Sequence, residues 1–116
     1  MAYDKNNVFA KILRGEIPCD KVYEDNTVLA FRDINPQAPT HVLLVPRQEL
    51  PRLADAGAAD QAMLGHLLLA AGTVARQLGV ADAFRLVVNN GAAAGQTVFH
   101  LHLHILAGRP LHWPPG

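Results

Sequence analysis

The chain contains the stretch Gln96-Thr97-Val98-Phe99-His100-Leu101-His102-Leu103-His104-Ile105-Leu106, around which the predicted fold is organised and which points to its chemistry. Histidine alternates with apolar residues here, and alternation with a period of two predicts a β-strand with two unlike faces. One face carries His100, His102 and His104, and the other carries apolar side chains that can enter a core. Imidazole is polar and partly charged near neutral pH, so placing three rings on one face costs stability. We therefore expect these histidines to serve a function.

The composition indicates a single domain with no general preference for polyanions. The chain has 116 residues, 50% of them hydrophobic, which suits one domain over residues 1–116 with one sizeable core. Lys and Arg number 10, as do Asp and Glu, so neither nucleic acid nor a membrane surface is a predicted partner. The single cysteine, Cys19, fits a reducing compartment, and the polar N-terminus lacks the apolar core of a signal peptide. These features predict a cytoplasmic protein.

The remaining elements predict an α+β fold. Asn6 and Asn7 can cap a short helix over residues 8–14, which Gly15 ends. Apolar residues recur at intervals of three and four over residues 60–78, which predicts a long helix. Strands are predicted over residues 22–24, 27–32, 40–46 and 84–89, in addition to the histidine stretch. The order of elements predicts a mostly antiparallel sheet of about five strands, with one long and one short helix.

Three of these segments leave alternatives open. The strand over residues 27–32 is apolar on both faces, so either protein covers both faces or one face is the wall of a pocket. His41, in the strand over residues 40–46, is compatible with an ordinary core histidine whose hydrogen bonds are satisfied. The small residues of the loop over residues 89–97 fit a flexible surface turn, or a loop whose main-chain N–H groups donate to a phosphate.

Histidine clusters often bind zinc, but this one is poorly arranged for it. His100 and His104 would lie about 13 Å apart in a strand that rises ~3.3 Å per residue, too far to share one ion. No cysteine lies nearby, and no acidic cluster is evident from the sequence. We therefore expect no metal ion and no other cofactor.

Nucleophilic catalysis at phosphorus is the alternative use of a histidine face. Neutral imidazole is a good nucleophile, and neighbouring rings can stabilise the charge on the phosphoryl oxygens. Adjacent rings of like charge depress each other's pKa, so a mixed protonation state is expected near pH 7. The flanking strand residues hold each ring in place, which in-line attack requires.

The motif His-Leu-His-Leu-His-Ile-Leu is similar to the His-x-His-x-His-x-x signature of the histidine triad (HIT) family. The ending His112-Trp113-Pro114-Pro115-Gly116 resembles the histidine triad nucleotide-binding protein (HINT) branch, and the resemblance runs from about Val8 to the C-terminus. It implies a HIT-like fold and a purine nucleoside phosphoramidase, which hydrolyses the P–N bond of adenosine 5'-phosphoramidates without a cofactor. The alternatives are a dinucleoside polyphosphate hydrolase, as in another branch, and a non-catalytic nucleotide-binding adaptor. Aminoacyl-adenylates are further candidate substrates.

The resemblance also assigns catalytic roles. His102 is expected to attack the α-phosphorus and form a nucleotidyl-histidine, which water then hydrolyses to AMP. His100 and His104 are expected to hold the phosphate and orient His102. His41 is expected to complete the proton network, and the Thr97 hydroxyl to bond near the leaving nitrogen.

Nucleotide contacts are implied for a second set of residues. Phe31 and Ile34 are expected to touch the base, and the Asp33 carboxylate to bind the ribose hydroxyls, since a carboxylate accepts two hydrogen bonds. The residues expected to contact the sugar and phosphate are Asn89, Gly95, Gln96, Thr97 and Val98. The chain departs from the family pattern at Glu49, where many relatives have histidine, and at Ala93 and Ala94.

The resemblance further implies a homodimer. The apolar strand over residues 84–89 could pair with its own copy, and Gly65 and Gly72 would allow two helices to approach closely. The C-terminal tail, residues 108–116, is expected near the partner's active site, where Trp113 would shape the side of the leaving group.

Overall fold

Five strands form one antiparallel sheet in the computed structural model, which describes residues 1–116. The strands are β1 (Lys21–Glu24), β2 (Val28–Arg32), β3 (Thr40–Pro46), β4 (Phe84–Val87) and β5 (Leu103–Ala107). Their order is β1-β2-β3-β5-β4, and every neighbouring pair is antiparallel. The predicted α+β fold is therefore confirmed, with the histidine-bearing strand β5 inside the sheet between β3 and β4.

Two α-helices and three short 3₁₀ turns complete the fold. Helix α1 (Val8–Leu13) begins where the Asn7 side chain accepts a hydrogen bond from the Ala10 N–H at 2.9 Å. Helix α2 (Gln61–Gln77) is the predicted long helix. The 3₁₀ turns are Leu53–Asp55, Ala58–Asp60 and Ala92–Ala94. Neither helix has the length and hydrophobicity that crossing a bilayer requires.

Both faces of the central strands are buried. Val28, Ala30, Val42 and Leu44 face α2, whose buried residues are Leu67, Ala70, Ala71, Val74 and Ala75. Burying a side chain such as Leu67 or Val74 stabilises the fold by about 1.5–3 kcal/mol. On the other face, α1 contributes Phe9 to a smaller cluster with Leu29, Phe31, Leu43 and Val45. Protein therefore covers both faces of β2, and one face is also the wall of a pocket, because Phe31 packs in this cluster and lines a cavity.

The histidine stretch is less regular than the alternation predicts. Leu101, Leu103 and Ile105 enter the core as expected, but the β5 ladder begins only at Leu103, opposite Leu44. In this register His102 would come opposite Val45 and Leu101 opposite Pro46, which has no N–H to donate, so the ladder stops there. Instead, the Leu101 N–H donates to the Leu50 carbonyl at 2.7 Å. His100 therefore lies at a bend and His102 in irregular chain before the strand, which corrects the prediction of one continuous strand.

Strand β4 is also shorter than predicted. It ends at Val87, and the chain then leaves the sheet. The Asn90 side chain accepts a hydrogen bond from the Ala54 N–H at 2.8 Å, which ties the departing segment to the first 3₁₀ turn. Residues 88 and 89, predicted as the end of this strand, therefore belong to the loop that precedes the histidines.

Candidate active site

A cavity of about 420 Å³ opens between α1, the end of β2 and the start of the histidine stretch. Its polar residues include Asp33, which follows β2, and Thr97, His102 and His104, which belong to the histidine stretch. Its apolar wall is formed by Val8, Phe9, Ile12, Ile17, Pro18, Phe31, Ile34, Leu43 and Val98. A concave apolar site with a few convergent polar groups is typical of a small-molecule pocket.

The ring of His102 is held with one nitrogen directed to the protein and the other left free. Its Nδ1 lies 2.6 Å from the main-chain oxygen of His100, and a carbonyl can only accept, so the proton is on Nδ1. Nε2 then carries the lone pair. Every buried side-chain nitrogen and oxygen has a hydrogen-bond partner, so this unpartnered Nε2 is accessible from the cavity that His102 lines. The Phe9 ring packs at right angles to the imidazole, with 4.9 Å between centroids.

Burial lowers the pKa of His102, although the His100 carbonyl and the charge of Asp33 oppose this effect. The imidazole is therefore neutral near pH 7. A neutral ring with its proton fixed on Nδ1 presents Nε2 as a nucleophile, which is the form that attack at phosphorus requires.

His41 and His104 form a hydrogen-bonded pair beside the cavity. The Gln37 N–H donates to His41 Nδ1 at 2.9 Å, so neutral His41 carries its proton on Nε2. That proton is donated to His104 Nδ1, 2.9 Å away, which leaves the His104 proton on Nε2. Burial, then the neighbouring His102 and His41, lower the pKa of His104 to about 4. Burial also lowers the pKa of His41, while the Asp33 carboxylate, 3.4 Å from His41 Nε2, raises it.

His100 is placed differently from its expected role. Its side chain is 0% exposed and does not line the cavity. Its Nε2–H donates to the Pro46 carbonyl at 2.7 Å, and its Nδ1 accepts from the Tyr3 hydroxyl at 2.5 Å. Both ring nitrogens are thus used by the protein, and the ring itself does not face the cavity. The residue acts on the site through its main-chain oxygen, which orients His102.

Asp33, His41 and His104 each bring one potential metal-binding atom within 4.8 Å of the others. The sequence does not reveal this grouping, because Asp33 joins it only when β2 and β3 pair. The donor set nevertheless does not suit a metal ion. Coordination through His41 Nε2 would move its proton to Nδ1, where the Gln37 N–H already donates.

The residues expected to contact nucleotide divide into two groups. Phe31, Asp33, Ile34, Thr97 and Val98 line the cavity, with Ile34 fully exposed at its mouth.

Asn89, Gly95 and Gln96 do not line the cavity. The buried Gln96 side chain donates to the carbonyls of Pro51 and Val98, at 2.8 and 3.0 Å, and accepts from the Gly91 N–H at 2.8 Å. Its own N–H donates to the Gly91 carbonyl. Gly95 adopts a left-handed φ of +97°, and a side chain there would meet the Asn89 amide. These three residues shape the loop instead of reaching the cavity.

Helix α1 forms one wall of the cavity, which the sequence did not predict. The stripe of Val8, Phe9 and Ile12 predicts that α1 packs on the core, but not that it borders a cavity. Tyr3 carries no sequence signal of its contact with His100.

The C-terminal tail does not reach the cavity of its own chain. Arg85 Nη2 donates to the main-chain oxygen of His112 at 2.9 Å, and the Trp113 side chain is 82% exposed. The indole is therefore available for contact outside this chain.

Known proteins share this sequence pattern and this fold. The HIT domain pattern matches residues 14–111. An uncharacterised HIT-like protein of Synechocystis sp. is 62% identical over 112 residues, which cover 97% of this chain and 98% of that protein. A crystal structure of a HIT family hydrolase from Legionella pneumophila has a TM-score of 0.93 at 45% identity, covering 96% of this chain and 100% of that one. For a histidine triad nucleotide-binding protein from Candida albicans the TM-score is 0.81 at 28% identity, with coverage of 94% and 83%. The chain therefore belongs to the HIT family.

Proposed function

We propose that this HIT family protein is a hydrolase of nucleotides that cleaves the P–N bond of purine nucleoside 5'-phosphoramidates. The observation that carries the proposal is the hydrogen bond from His102 Nδ1 to the His100 carbonyl, which leaves Nε2 accessible from the cavity. The Trp-Pro-Pro-Gly ending, which resembles the HINT branch, supports a phosphoramidate as substrate. The HIT family hydrolases among the similar structures support the hydrolase class.

The cavity suits a purine nucleoside. Phe31 and Ile34, with the apolar residues of α1, offer surfaces on which a base can pack. The Asp33 carboxylate, at the same cavity, is suited to accept two hydrogen bonds from the ribose hydroxyls. Such a pocket recognises the shape of the base more than its hydrogen-bonding edge, so adenine and guanine nucleosides both fit the proposal.

In the first step, His102 Nε2 attacks the α-phosphorus, the N–P bond to His102 forms, and the P–N bond to the amine breaks. The departing nitrogen needs one proton to leave as a neutral amine. The hydrogen-bonded His41–His104 pair supplies it, after the pair has taken up one proton on substrate binding. Asp33 favours this protonated state because its carboxylate lies 3.4 Å from His41 Nε2. Thr97 also lines the cavity, and in this proposal its hydroxyl hydrogen-bonds the leaving group.

In the second step, water attacks the phosphorus of the nucleotidyl-histidine and the P–N bond to His102 breaks. One proton of the water returns to the His41–His104 pair, which restores the proton that the amine took away. The nucleoside monophosphate leaves with the new oxygen. The two steps together consume one water and need no external oxidant, reductant or cofactor.

The same proposal includes a homodimer. Leu68 and Leu69 on α2 are 59% and 75% exposed, and Gly65 lies on the same exposed surface. Strand β4 is the last strand of the sheet, so its outer edge has main-chain groups available for pairing. An exposed apolar surface beside an open edge is suited to contact with a second copy. A monomer by light scattering at micromolar concentration contradicts this part of the proposal.

A substrate panel tests the proposed reaction. The protein is given a fluorogenic adenosine 5'-phosphoramidate and, separately, diadenosine polyphosphates at the same concentration. We expect rapid release of the amine from the first, slow cleavage of the second, and no turnover by His102→Ala. A preference for diadenosine polyphosphates overturns the assignment of the P–N bond as the bond cleaved. AMP binding without turnover of any substrate overturns the proposal that the protein is an enzyme.

A further inference from the structure

Residues 1–7 form an N-terminal segment that lies against the site but outside the region matched by the HIT domain. The segment is held at both ends. The amino group of Met1 lies 3.2 Å from the Asp55 carboxylate, and the Asn7 side chain accepts a hydrogen bond from the Ala10 N–H of α1 at 2.9 Å. Between these points Arg14 donates to the Lys5 carbonyl at 2.8 Å. The segment therefore has a defined path over the histidine stretch.

Tyr3 is the residue of this segment that touches the histidines. Its hydroxyl hydrogen-bonds His100 Nδ1 at 2.5 Å, and the two rings meet edge to face with centroids 5.6 Å apart. The Pro46 carbonyl fixes the His100 proton on Nε2, so Nδ1 can only accept and Tyr3 must donate. Burial raises the pKa of Tyr3, which keeps the phenol protonated at neutral pH.

The contact continues to the nucleophile through the backbone. His100 is fully buried, and its ring is held between Tyr3 on one nitrogen and Pro46 on the other. The main-chain oxygen of the same residue accepts the proton of His102 Nδ1 at 2.6 Å. Since His100 and His102 lie before the first paired residue of β5, no ladder hydrogen bond fixes this stretch. Side-chain contacts therefore hold it together with the single main-chain bond from the Leu101 N–H to the Leu50 carbonyl.

We propose that Tyr3 is a positioning residue that holds His100 and, through its carbonyl, keeps His102 in the tautomer with Nε2 free. The expected effect on kcat rests on the proposed function, whereas the expected effect on the tautomer of His102 does not. Removal of the hydroxyl leaves His100 Nδ1 without a donor in a buried site, so the ring and its main chain lose a constraint. His102 then spends less time with Nε2 aimed at the phosphorus.

Tyr3→Phe removes only the hydroxyl. We expect kcat on the adenosine phosphoramidate to fall about ten- to hundred-fold, the range seen when the hydrogen-bond partner that orients a metal-bound histidine is removed. KM is expected to change less than about twofold, because Tyr3 does not line the cavity of the nucleoside. Tyr23→Phe is the matched control, since it also deletes one tyrosine hydroxyl and its 2.9 Å hydrogen bond, to Asp25, at a distant hairpin.

Nitrogen NMR of the histidine rings gives a readout that does not depend on turnover. The wild-type spectrum must show His102 protonated on Nδ1, and His100 protonated on Nε2 with a hydrogen-bonded Nδ1. In Tyr3→Phe the His100 Nδ1 signal should move to the position of an unbonded nitrogen, and the second tautomer of His102 should appear.

Three outcomes overturn the inference: an unbonded His100 Nδ1 in the wild type, a kcat for Tyr3→Phe equal to that of Tyr23→Phe, or a reduced kcat with unchanged ring signals. If the wild type turns over no phosphoramidate, the proposed function fails, and the ring signals alone decide the role of Tyr3.

Discussion

Acidification should destabilise this fold well above the pH at which carboxyl groups titrate. Burial lowers the pKa values of His41, His100, His102 and His104, so the unfolded chain binds protons that the folded chain does not. The free energy of unfolding therefore rises with pH in this window. The stability that depends on these rings being neutral is fully present above the ordinary histidine pKa of about 6.5. It is lost as the pH falls toward the pKa of about 4 for folded His104.

The lowered pKa of His104 sets the size of this loss of stability. Lowering its pKa from 6.5 to about 4 corresponds to about 2 kcal/mol of stability lost between pH 7.5 and pH 5, at ~1.4 kcal/mol for each pH unit. Because the ring is partly exposed, solvent screening makes this an upper value. A loss of this size is a large part of the ~5–15 kcal/mol typical of a domain.

The assay is urea unfolding followed by far-UV circular dichroism at pH 7.5, 6.5, 5.5 and 5. Fluorescence is a poor probe, since the single tryptophan, Trp113, is exposed in the tail. Protein concentration is held constant because association changes apparent stability. His104→Asn should flatten the pH dependence, and His112→Asn, which alters an exposed ring in the tail, should leave it parallel to the wild type. An unfolding free energy that stays constant from pH 7.5 to 5, or an equal slope in His104→Asn, refutes the reasoning.

Three further predictions concern the loop, metal ions and the tail. Gln96→Leu should lower the free energy of unfolding by about 2–4 kcal/mol, because it leaves two carbonyls and one N–H of the loop without partners. Thermal unfolding measures this loss, with Gln48→Leu at an exposed position as the control, and equal melting points of the two variants contradict it. Dialysis against a strong chelator should leave turnover of the phosphoramidate unchanged, since Gln37 opposes metal binding at His41, and activity lost and then restored by zinc counts against this. Deletion of residues 112–116 should leave the fold and AMP binding intact and change the ratio of kcat/KM for two phosphoramidates that differ only in amine. An unchanged ratio removes the tail from substrate choice.

The elements that sequence reasoning found are those set by local patterns. The intervals of three and four in α2, the cap at Asn7, and the period of two through Leu101, Leu103 and Ile105 each act within a few residues, so the sequence displays them directly. The end of the β5 ladder follows from Pro46, which lies far along the chain on the partner strand. No periodicity in the histidine stretch itself can reveal that limit.

The site depends more on contacts between distant parts of the chain. Tyr3 meets His100 and Gln37 meets His41 only after folding, and these hydrogen bonds decide which ring nitrogen carries each proton. The sequence indicated which histidines matter, whereas the expectation that His100 holds the phosphate came from the family resemblance. That resemblance does not show that Tyr3 and Pro46 use both ring nitrogens of His100. The same resemblance implies a ligand contact for Gln96, whereas the hydrogen bonds of its side-chain amide close the loop.

In the proposed reaction, His102 is the residue that becomes bonded to phosphorus. The most direct measurement is rapid mixing of the protein with excess adenosine phosphoramidate, an alkaline quench that preserves P–N bonds, and peptide mass spectrometry. We predict a transient adenylyl adduct on His102 and a burst of amine release that precedes AMP. Amine and AMP released at the same rate with no adduct, or an adduct on another residue, would contradict the account.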